Sequence, residues 1–472
     1  MKNRALTRPL RTASLLLAVS VLSGCASLSS DGGLADVSKT TKDRTGFGLV
    51  GERNDSDAQA NAAEVTRLLS SPLTPDTAVR IALLNNRGLR ASLSELGVSE
   101  AEFVQAGRLR NPSFSFSRMR GADEVEIERT VMFDLIGLLT IPLRSSIERG
   151  RFEQAKLTAA SEAVRLARET RRAYFTAVAA AQTQMFMKQV VTSAEAGAEL
   201  AQELAKVGNW SKLNKAREQA YYAEATTQYA RARHANTAAR EQLVRLLGLW
   251  GANVEFKIPE RLPDLPLKPN EPGALEALAM EQRLDIQIAK RDVDATARSM
   301  GLTNATGFVN VLDAGYINKS TTGKPRENGY EISLELPIFD WGGARRARAK
   351  ATYMLAVHRT ADTAVRARSE VREAYSAYRT TYDVAKHYRD EVVPLRKQIS
   401  EEVLLRYNGM LASVFELLAD AREQVTSVNG AIEAQRDFWI AETDLQAAVN
   451  GSGGAIARST ASTSSSATAA EH

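Results

Sequence analysis

The 472-residue sequence has one cysteine, Cys25, which excludes an internal disulfide and gives a lone thiolate little use as a metal site. It has four histidines, His234, His358, His387 and His472, scattered without metal-ligand spacing. There is no P-loop, nucleophile elbow or other nucleotide-binding or catalytic signature. These absences argue against an enzyme, and no cofactor is implied. After the first two dozen residues no apolar run reaches about 18 residues, so no spanning helix is expected. Aromatics make up only 6% of the chain. The excess of positive charge is also local. Four of the net five positive charges are Lys2, Arg4, Arg8 and Arg11, so the rest of the chain is near +1 and carries no nucleic-acid footprint.

Those four basic residues precede the uncharged stretch Thr12–Gly24, rich in Leu, Ala and Val. A basic region, a short apolar region and small residues before a cut form a secretory signal. L-S-G-C (Leu22–Cys25) resembles the lipobox of bacterial lipoproteins, which implies cleavage before Cys25 and acylation of its thiol. Ala26, rather than Asp, is read as favouring the outer membrane. The expected organisation is a signal peptide at 1–24, a lipid-anchored tether at 25–65, two repeats at 66–255 and 256–450, and a disordered tail at 451–472.

The repeat is carried by landmarks that hold register over long distances. Pro75 and Pro272 lie 197 residues apart, Pro142 and Pro337 195, and Gly208 and Gly409 201. Each copy opens with a helix, over 74–109 and 271–303. Each continues with two extended segments, then a long helix at 146–205 or 343–407. A Gly turn follows, then a return helix ending near Gly251 or Gly451. A helix of about 60 residues is roughly 90 Å long, more than a compact domain needs. Ala364, Val371, Tyr378, Ala385, Val392 and Ile399 form one heptad row, a coiled-coil seam, with Pro394 expected to kink it.

The extended segments alternate. Val125, Ile127, Val131, Phe133 and Leu135 share one face, with Arg129 out of place, opposite Glu124, Glu126, Glu128, Thr130 and Asp134. Tyr330, Ile332, Leu334, Leu336 and Ile338 oppose Glu331, Ser333 and Glu335. Asn111–Ser117 and, more weakly, Phe308–Ile317 are the other two segments. Alternation over about ten residues suits a membrane barrel, apolar toward lipid and polar toward water. Four strands cannot close such a barrel and open edges are not tolerated in lipid, so several chains must share it. Three chains would supply twelve strands. The fold class expected is therefore α+β, mostly long helices in a two-fold repeat, forming a trimeric α-barrel continuous with a 12-stranded transmembrane β-barrel.

Ala82–Ala91, Gln105–Ser117, Leu336–Ala347 and Arg406–Leu418, in that order, resemble the TolC-like outer-membrane efflux proteins, particularly their lipoprotein members. The resemblance covers roughly residues 70–450. It implies a homotrimeric duct in the outer-membrane lipid, docked through a periplasmic adaptor (a membrane fusion protein) to an inner-membrane pump. The first copy departs from the pattern over Thr130–Arg144, where a shorter L-P-x-F-D-x-G-G would be expected. The resemblance also gives the helix–helix turns a role as docking tips: Gly208, Asn209, Ser211, Leu213 and Asn214, with Gly409, Met410, Leu411, Ser413 and Val414. Glu416 and Asp420, four residues apart, share a helix face and would make acidic rings at a gate. Glu124, Glu126, Glu128, Glu331 and Glu335 would make the lumen acidic. The competing reading is a structural periplasmic coiled-coil lipoprotein without a pore, which has no use for alternating strands. An adaptor is a third reading, but the small β-domains it needs are not evident.

The lipobox generates the first prediction: Cys25→Ser abolishes incorporation of a radiolabelled fatty acid and weakens membrane anchoring, whereas normal labelling of the variant rules out acylation at Cys25.

Overall fold

The computed structural model describes residues 28–52, 54–121, 123–269, 273–306, 311–336 and 338–451. The expected signal peptide, Cys25, nearly all of the expected 451–472 tail, and the landmarks Pro272 and Pro337 lie outside the described residues.

The chain opens with α1 (Leu34–Thr45) and α2 (Asp55–Leu69). The first repeat comprises α3 (Pro75–Asn85), α4 (Arg87–Ala106), β1 (Ser113–Arg120), β2 (Val125–Asp134), α5 (Leu135–Lys206) and α6 (Lys212–Leu247). The second comprises α7 (Leu275–Gln282), α8 (Leu284–Ala305), β3 (Leu312–Thr321), β4 (Glu327–Leu334), α9 (Gly343–His387), a π-turn (Tyr388–Val392), α10 (Val393–Asn408) and α11 (Val414–Asn450). The two hairpins form one antiparallel sheet in the order β1-β2-β3-β4. The two repeats therefore meet at the β2–β3 pair.

The residues expected as a tether are instead helical and docked. Val37, Val65 and Leu68 are buried against the body. Ser29 donates to Glu100 from its backbone N–H at 2.7 Å, and Asp36 pairs with Lys156 at 2.8 Å. Arg44 donates to the Gln282 carbonyl at 3.0 Å, so this arm ties the first repeat to the second. Polar composition concealed it, because short helices of modest propensity are held by tertiary packing rather than by their own sequence.

Each expected opening helix is two helices. Asn86 (ψ 119°) and Arg283 (ψ 125°) leave the helical region and break the run. At the first break the Asn86 side chain caps α4 by accepting from Leu89 N–H at 3.0 Å. Its amide donates to the Leu246 carbonyl, and Asn85 donates to Leu247 and Gly248. These are the last carbonyls of the return helix α6, which no intrahelical donor reaches. At the second break Arg283, 1% exposed, donates to the Ala448 carbonyl at the end of α11 and pairs with Asp285 and Glu370, each at 2.7 Å. The same need, for a donor at the end of a return helix, is met by two amides in one copy and by a buried guanidinium in the other.

Strand and helix also meet differently in the two copies. α5 begins at Leu135, not near residue 146, and runs 72 residues, about 110 Å. Asp134, the last residue of β2, accepts from Gly137 N–H at 2.5 Å and starts it. Pro142 is carried inside the helix. In the second copy Asp340 accepts from Gly342 N–H at 2.8 Å just before α9. Pro394 lies directly after the π-turn, where one widened turn accommodates the missing N–H without ending the helix. The heptad row is buried at Val371, Tyr378 and Ala385 and opens toward Ile399.

The cores pack the middle of α5 and the end of α9 against the carboxy-terminal parts of the return helices. Ile81 and Ala82 of α3, Ala163, Tyr174 and Val178 of α5 and Leu243 and Leu247 of α6 form the first. Tyr378 and Tyr382 of α9 with Phe438 and Leu445 of α11 form the second. An aromatic chain joins them: Phe175 stacks on Trp439 at 5.4 Å, and Trp439 meets Phe438 edge-on at 5.1 Å. Burial and the edge-on geometry both contribute here.

Gly248 (φ 66°) is the C-cap of α6, rather than the expected Gly251, and Gly451 (φ 81°) caps α11. A Cβ at either would stand 2.7 Å from backbone, at the Asn85 carbonyl oxygen or the Leu284 nitrogen. Gly248→Ala and Gly451→Ala should each cost about 1–3 kcal/mol. Gly208→Ala, also at positive φ but with open space around it, should cost about 1 kcal/mol. Thermal unfolding of the three variants checks the order; an equal loss at all three would show that close approach is not what selects glycine at the caps.

Candidate channel surface and helical tips

The sheet separates two chemistries. Register puts Phe114 opposite Val131 and Val131 opposite Tyr316, which faces Tyr330. Phe133, Ala314 and Ile332 form the next row, and Leu312 and Leu334 the last. This face is uncovered: Phe114, Phe116, Phe133, Ile332 and Leu334 are exposed, Tyr330 by 89%. Apolar exposure continues past the strands through Leu336, Ile338, Phe339 (99%) and Trp341, and through Leu138 and Leu139 of α5. An apolar surface this continuous marks an interaction with lipid or protein.

The other face carries Ser113, Ser115 and Ser117 of β1, Glu126, Glu128, Thr130 and Asp134 of β2, Asp313 and Lys319 of β3 and Glu327, Glu331 and Ser333 of β4. Glu126 pairs with Lys319 at 2.6 Å, and Glu124, in the β1–β2 hairpin, with Lys324 at 3.1 Å. Six acids against one lysine leave this face negative. Glu128 and Glu331 lie on it as expected. Glu124 and Glu335 fall just outside strands, Glu335 directly after β4, where its N–H donates to the Val311 carbonyl at 3.3 Å. The third strand starts later than expected, at Leu312; Phe308 lies outside the described residues.

At the opposite end of the long helices are the two turns. At the first, Gly208 (φ 79°) reverses the chain, Asn209 and Trp210 donate to the Leu204 carbonyl, and Ser211 caps α6 by accepting from Asn214 N–H. At the second, Leu411 and Ala412 donate to the Arg406 carbonyl and Ser413 caps α11 by accepting from Glu416 N–H. The left-handed residue there is Met410 (φ 59°), while Gly409 (φ −80°) is ordinary. The structural equivalent of Gly208 is therefore Met410, one residue beyond the sequence match. Ser211 and Ser413 keep the same register. Val207, Leu213, Met410 and Leu411 project as exposed apolar side chains, with Asn209 also exposed and Asn214 and Val414 half-buried. Trp210 stacks on Phe415 at 4.9 Å and 18°, joining the two tips. Sequence reasoning passed over this pair, although an aromatic within two residues of each capping serine was its signal.

Glu416 and Asp420 part company. Glu416 is exposed in the first turn of α11. Asp420 is 8% exposed, and its Oδ2 accepts no hydrogen bond. Two residues on, Arg422 donates to Glu218 of α6 at 3.1 Å and lies 4.3 Å over the Tyr221 ring. Burial pushes the Tyr221 hydroxyl up, against the pull of Arg422. The Glu218 carboxylate is almost fully buried, at 3% exposure. Below it Met187, Val190 and Ala225 pack together, so Met187 is a packing residue.

No family model matches the chain, and no curated protein matches it in sequence. Solved structures do match. A membrane protein from Pseudomonas aeruginosa superposes with a TM-score of 0.68 at 22% identity, over 82% of this chain and 92% of that one. The Campylobacter jejuni outer-membrane channel CmeC gives 0.68 at 16%, over 86% and 89%. The open state of the Neisseria gonorrhoeae outer-membrane channel MtrE gives 0.65 at 18%, over 80% and 88%. At these identities the likeness is one of fold: long helices with four strands per chain, as the resemblance to the TolC-like proteins implied.

Removing Arg422 leaves Glu218 buried and unpaired. Arg422→Ala should destabilise the tip by about 2 kcal/mol, below the fully buried value because the guanidinium is partly exposed. Adding Glu218→Gln should restore most of it. Hydrogen exchange of α6 and α11 amides near the tip reads both; no rescue in the double variant refutes the pairing as the cause.

Proposed function

We propose that the chain is the outer-membrane channel component of a tripartite efflux system, a passive trimeric duct for small molecules or ions. The observation that carries this reading is the sheet, apolar and uncovered on one face and acidic on the other, with β1 and β4 left as open edges. In hydrocarbon every backbone N–H and C=O must be paired within protein. Three copies would pair β4 of each with β1 of the next and close twelve strands, with the acidic face inward. The helices, about 100 Å long, would continue the wall into the periplasm. The likeness to outer-membrane channels supports the same assignment.

The other parts have roles in this scheme. Acylated Cys25 would hold the amino terminus at the membrane. The apolar tip residues Val207, Leu213, Met410 and Leu411 would meet a periplasmic adaptor, which couples the duct to an inner-membrane pump. Acidic side chains inside the barrel raise the local concentration of cations. Glu416, exposed beside the tip, would form an acidic ring on three-fold closure, and Asp420, buried unpaired within one chain, would respond to any rearrangement that hydrates it. A pore-free coiled-coil lipoprotein leaves the two-faced sheet without a purpose.

The test is single-channel conductance of the purified mature protein in a planar bilayer, with oligomer mass from the same preparation. Discrete, cation-preferring steps from a trimer are expected. Glu416→Ala combined with Asp420→Ala should raise the resting conductance; unchanged conductance removes the gate from these residues. A monomeric mass with no steps from wild type or variant overturns the duct.

A further inference from the structure

The apolar face of the sheet ends in arginine. On the strand positions that share a face with Phe114, Val131, Tyr316 and Tyr330, the hairpin end carries Arg118 and Arg120 of β1 and Arg129 of β2. Register sets Phe116 opposite Arg129, and Arg129 opposite Asn318. Arg129 donates to Asn318 Oδ1 at 3.2 Å and stands 6.0 Å over the Phe116 ring. Arg118 and Arg120 are exposed and make no ion pair among the described residues. The strand acids cannot serve them, because Glu126 and Glu128 point from the opposite face. Arg326, directly before β4, adds a further cation at the same end, beside Lys324, which is paired with Glu124.

A lipid-facing arginine costs about 2–4 kcal/mol at a bilayer midplane and about 0–1 near the interface. Three on one face therefore mark the level at which hydrocarbon gives way to headgroups. The aromatics at and just below that level, Phe116 beside Arg129 and Phe114, Tyr316 and Tyr330 in the next row, fit that border, where aromatic belts sit. At the other limit Phe339 and Trp341 hold the matching position. A guanidinium fork matches the geometry of a phosphate and binds it with charge-assisted hydrogen bonds.

We propose that Arg118, Arg120 and Arg129 form a binding site for the phosphate groups of outer-leaflet lipids. This rests on the sheet spanning the membrane. Because β1 and β4 are opposite edges, closure of the barrel would bring Arg326 of one copy to the rim beside Arg118 and Arg120 of the next, extending the site across each subunit junction.

The experiment reconstitutes the full mature protein in phosphatidylcholine nanodiscs containing a minor fraction of lipid A, and counts retained lipids by native mass spectrometry. Wild type should enrich lipid A over phosphatidylcholine on the order of tenfold or more, and Arg118→Gln with Arg120→Gln and Arg129→Gln should lose that enrichment. The triple Arg→Lys variant, which keeps the charge, should retain part of it and serves if the Gln variant fails to fold. Displacement of lipid A by millimolar inorganic phosphate would identify a free-anion site and overturn the lipid assignment. A trimer that inserts normally but shows no preference for lipid A overturns this proposal alone. A chain that neither inserts nor trimerises overturns the membrane reading with it.

Discussion

Two rows of backbone donors and acceptors, one along β1 and one along β4, have no strand partner among the described residues. An open edge exposed to water is an aggregation hazard, and one exposed to hydrocarbon is untenable. Everything distinctive about the molecule is compatible with closing those edges against copies of itself. The strands alternate so that one face is mainly apolar, ending in arginines, and the other mainly polar and acidic, a division suited to faces that meet different solvents. The hairpins are brought side by side through β2 and β3, at the join between the repeats, which leaves the unpaired edges at opposite ends of the sheet. That is the arrangement a head-to-tail ring requires.

The repeat shows how one geometric demand tolerates different chemistry. Each return helix ends at a left-handed glycine pressed against the break between two opening helices. The orphan carbonyls there must find donors. Asn85 and Asn86 supply them in the first copy and Arg283 in the second. Arg283 brings a charge into the interior, so it must bring Asp285 and Glu370 with it; a buried guanidinium without them would cost several kcal/mol. Two copies that satisfy the same backbone by unrelated side chains show how proteins of this fold can share fewer than a quarter of their residues with this chain.

Much of the architecture was legible because it is written in periods and punctuation. Alternation over Val125–Asp134 gave the strand and its faces, and Pro75 marked a helix start. Ser211 and Ser413, each three residues before the N–H they cap, mark the returns as surely as the glycines do. What was missed depends on partners distant in sequence. The arm at 28–69 looks like a linker until Val37 and Val65 find the core. Arg283 looks like a surface residue until the end of α11 arrives. The one-residue slip at the second tip has a local cause. Gly409 attracts the assignment because glycine usually takes the left-handed position, whereas Met410 takes it here at about 1 kcal/mol of strain. Of the candidate site, the acidic strand face could be read from parity alone, but the separation of Glu416 from Asp420 could not, since burial by another helix leaves no local mark.

Stability is graded along the helices. Midway, Phe175, Trp439, Phe438 and Tyr378 interlock across the repeats, and the buried aliphatic residues crowd around them. Toward the tips α10 contributes no fully buried side chain. What joins the helices there is a small cluster around Met187, Val190 and Ala225, the stack of Trp210 on Phe415, and ion pairs partly open to water, Arg422 with Glu218 and Arg396 with Glu423. Local opening draws on segments with few buried apolar contacts. A change at the tips therefore has only small or partly exposed contacts to break, while the central cores hold the helices in register.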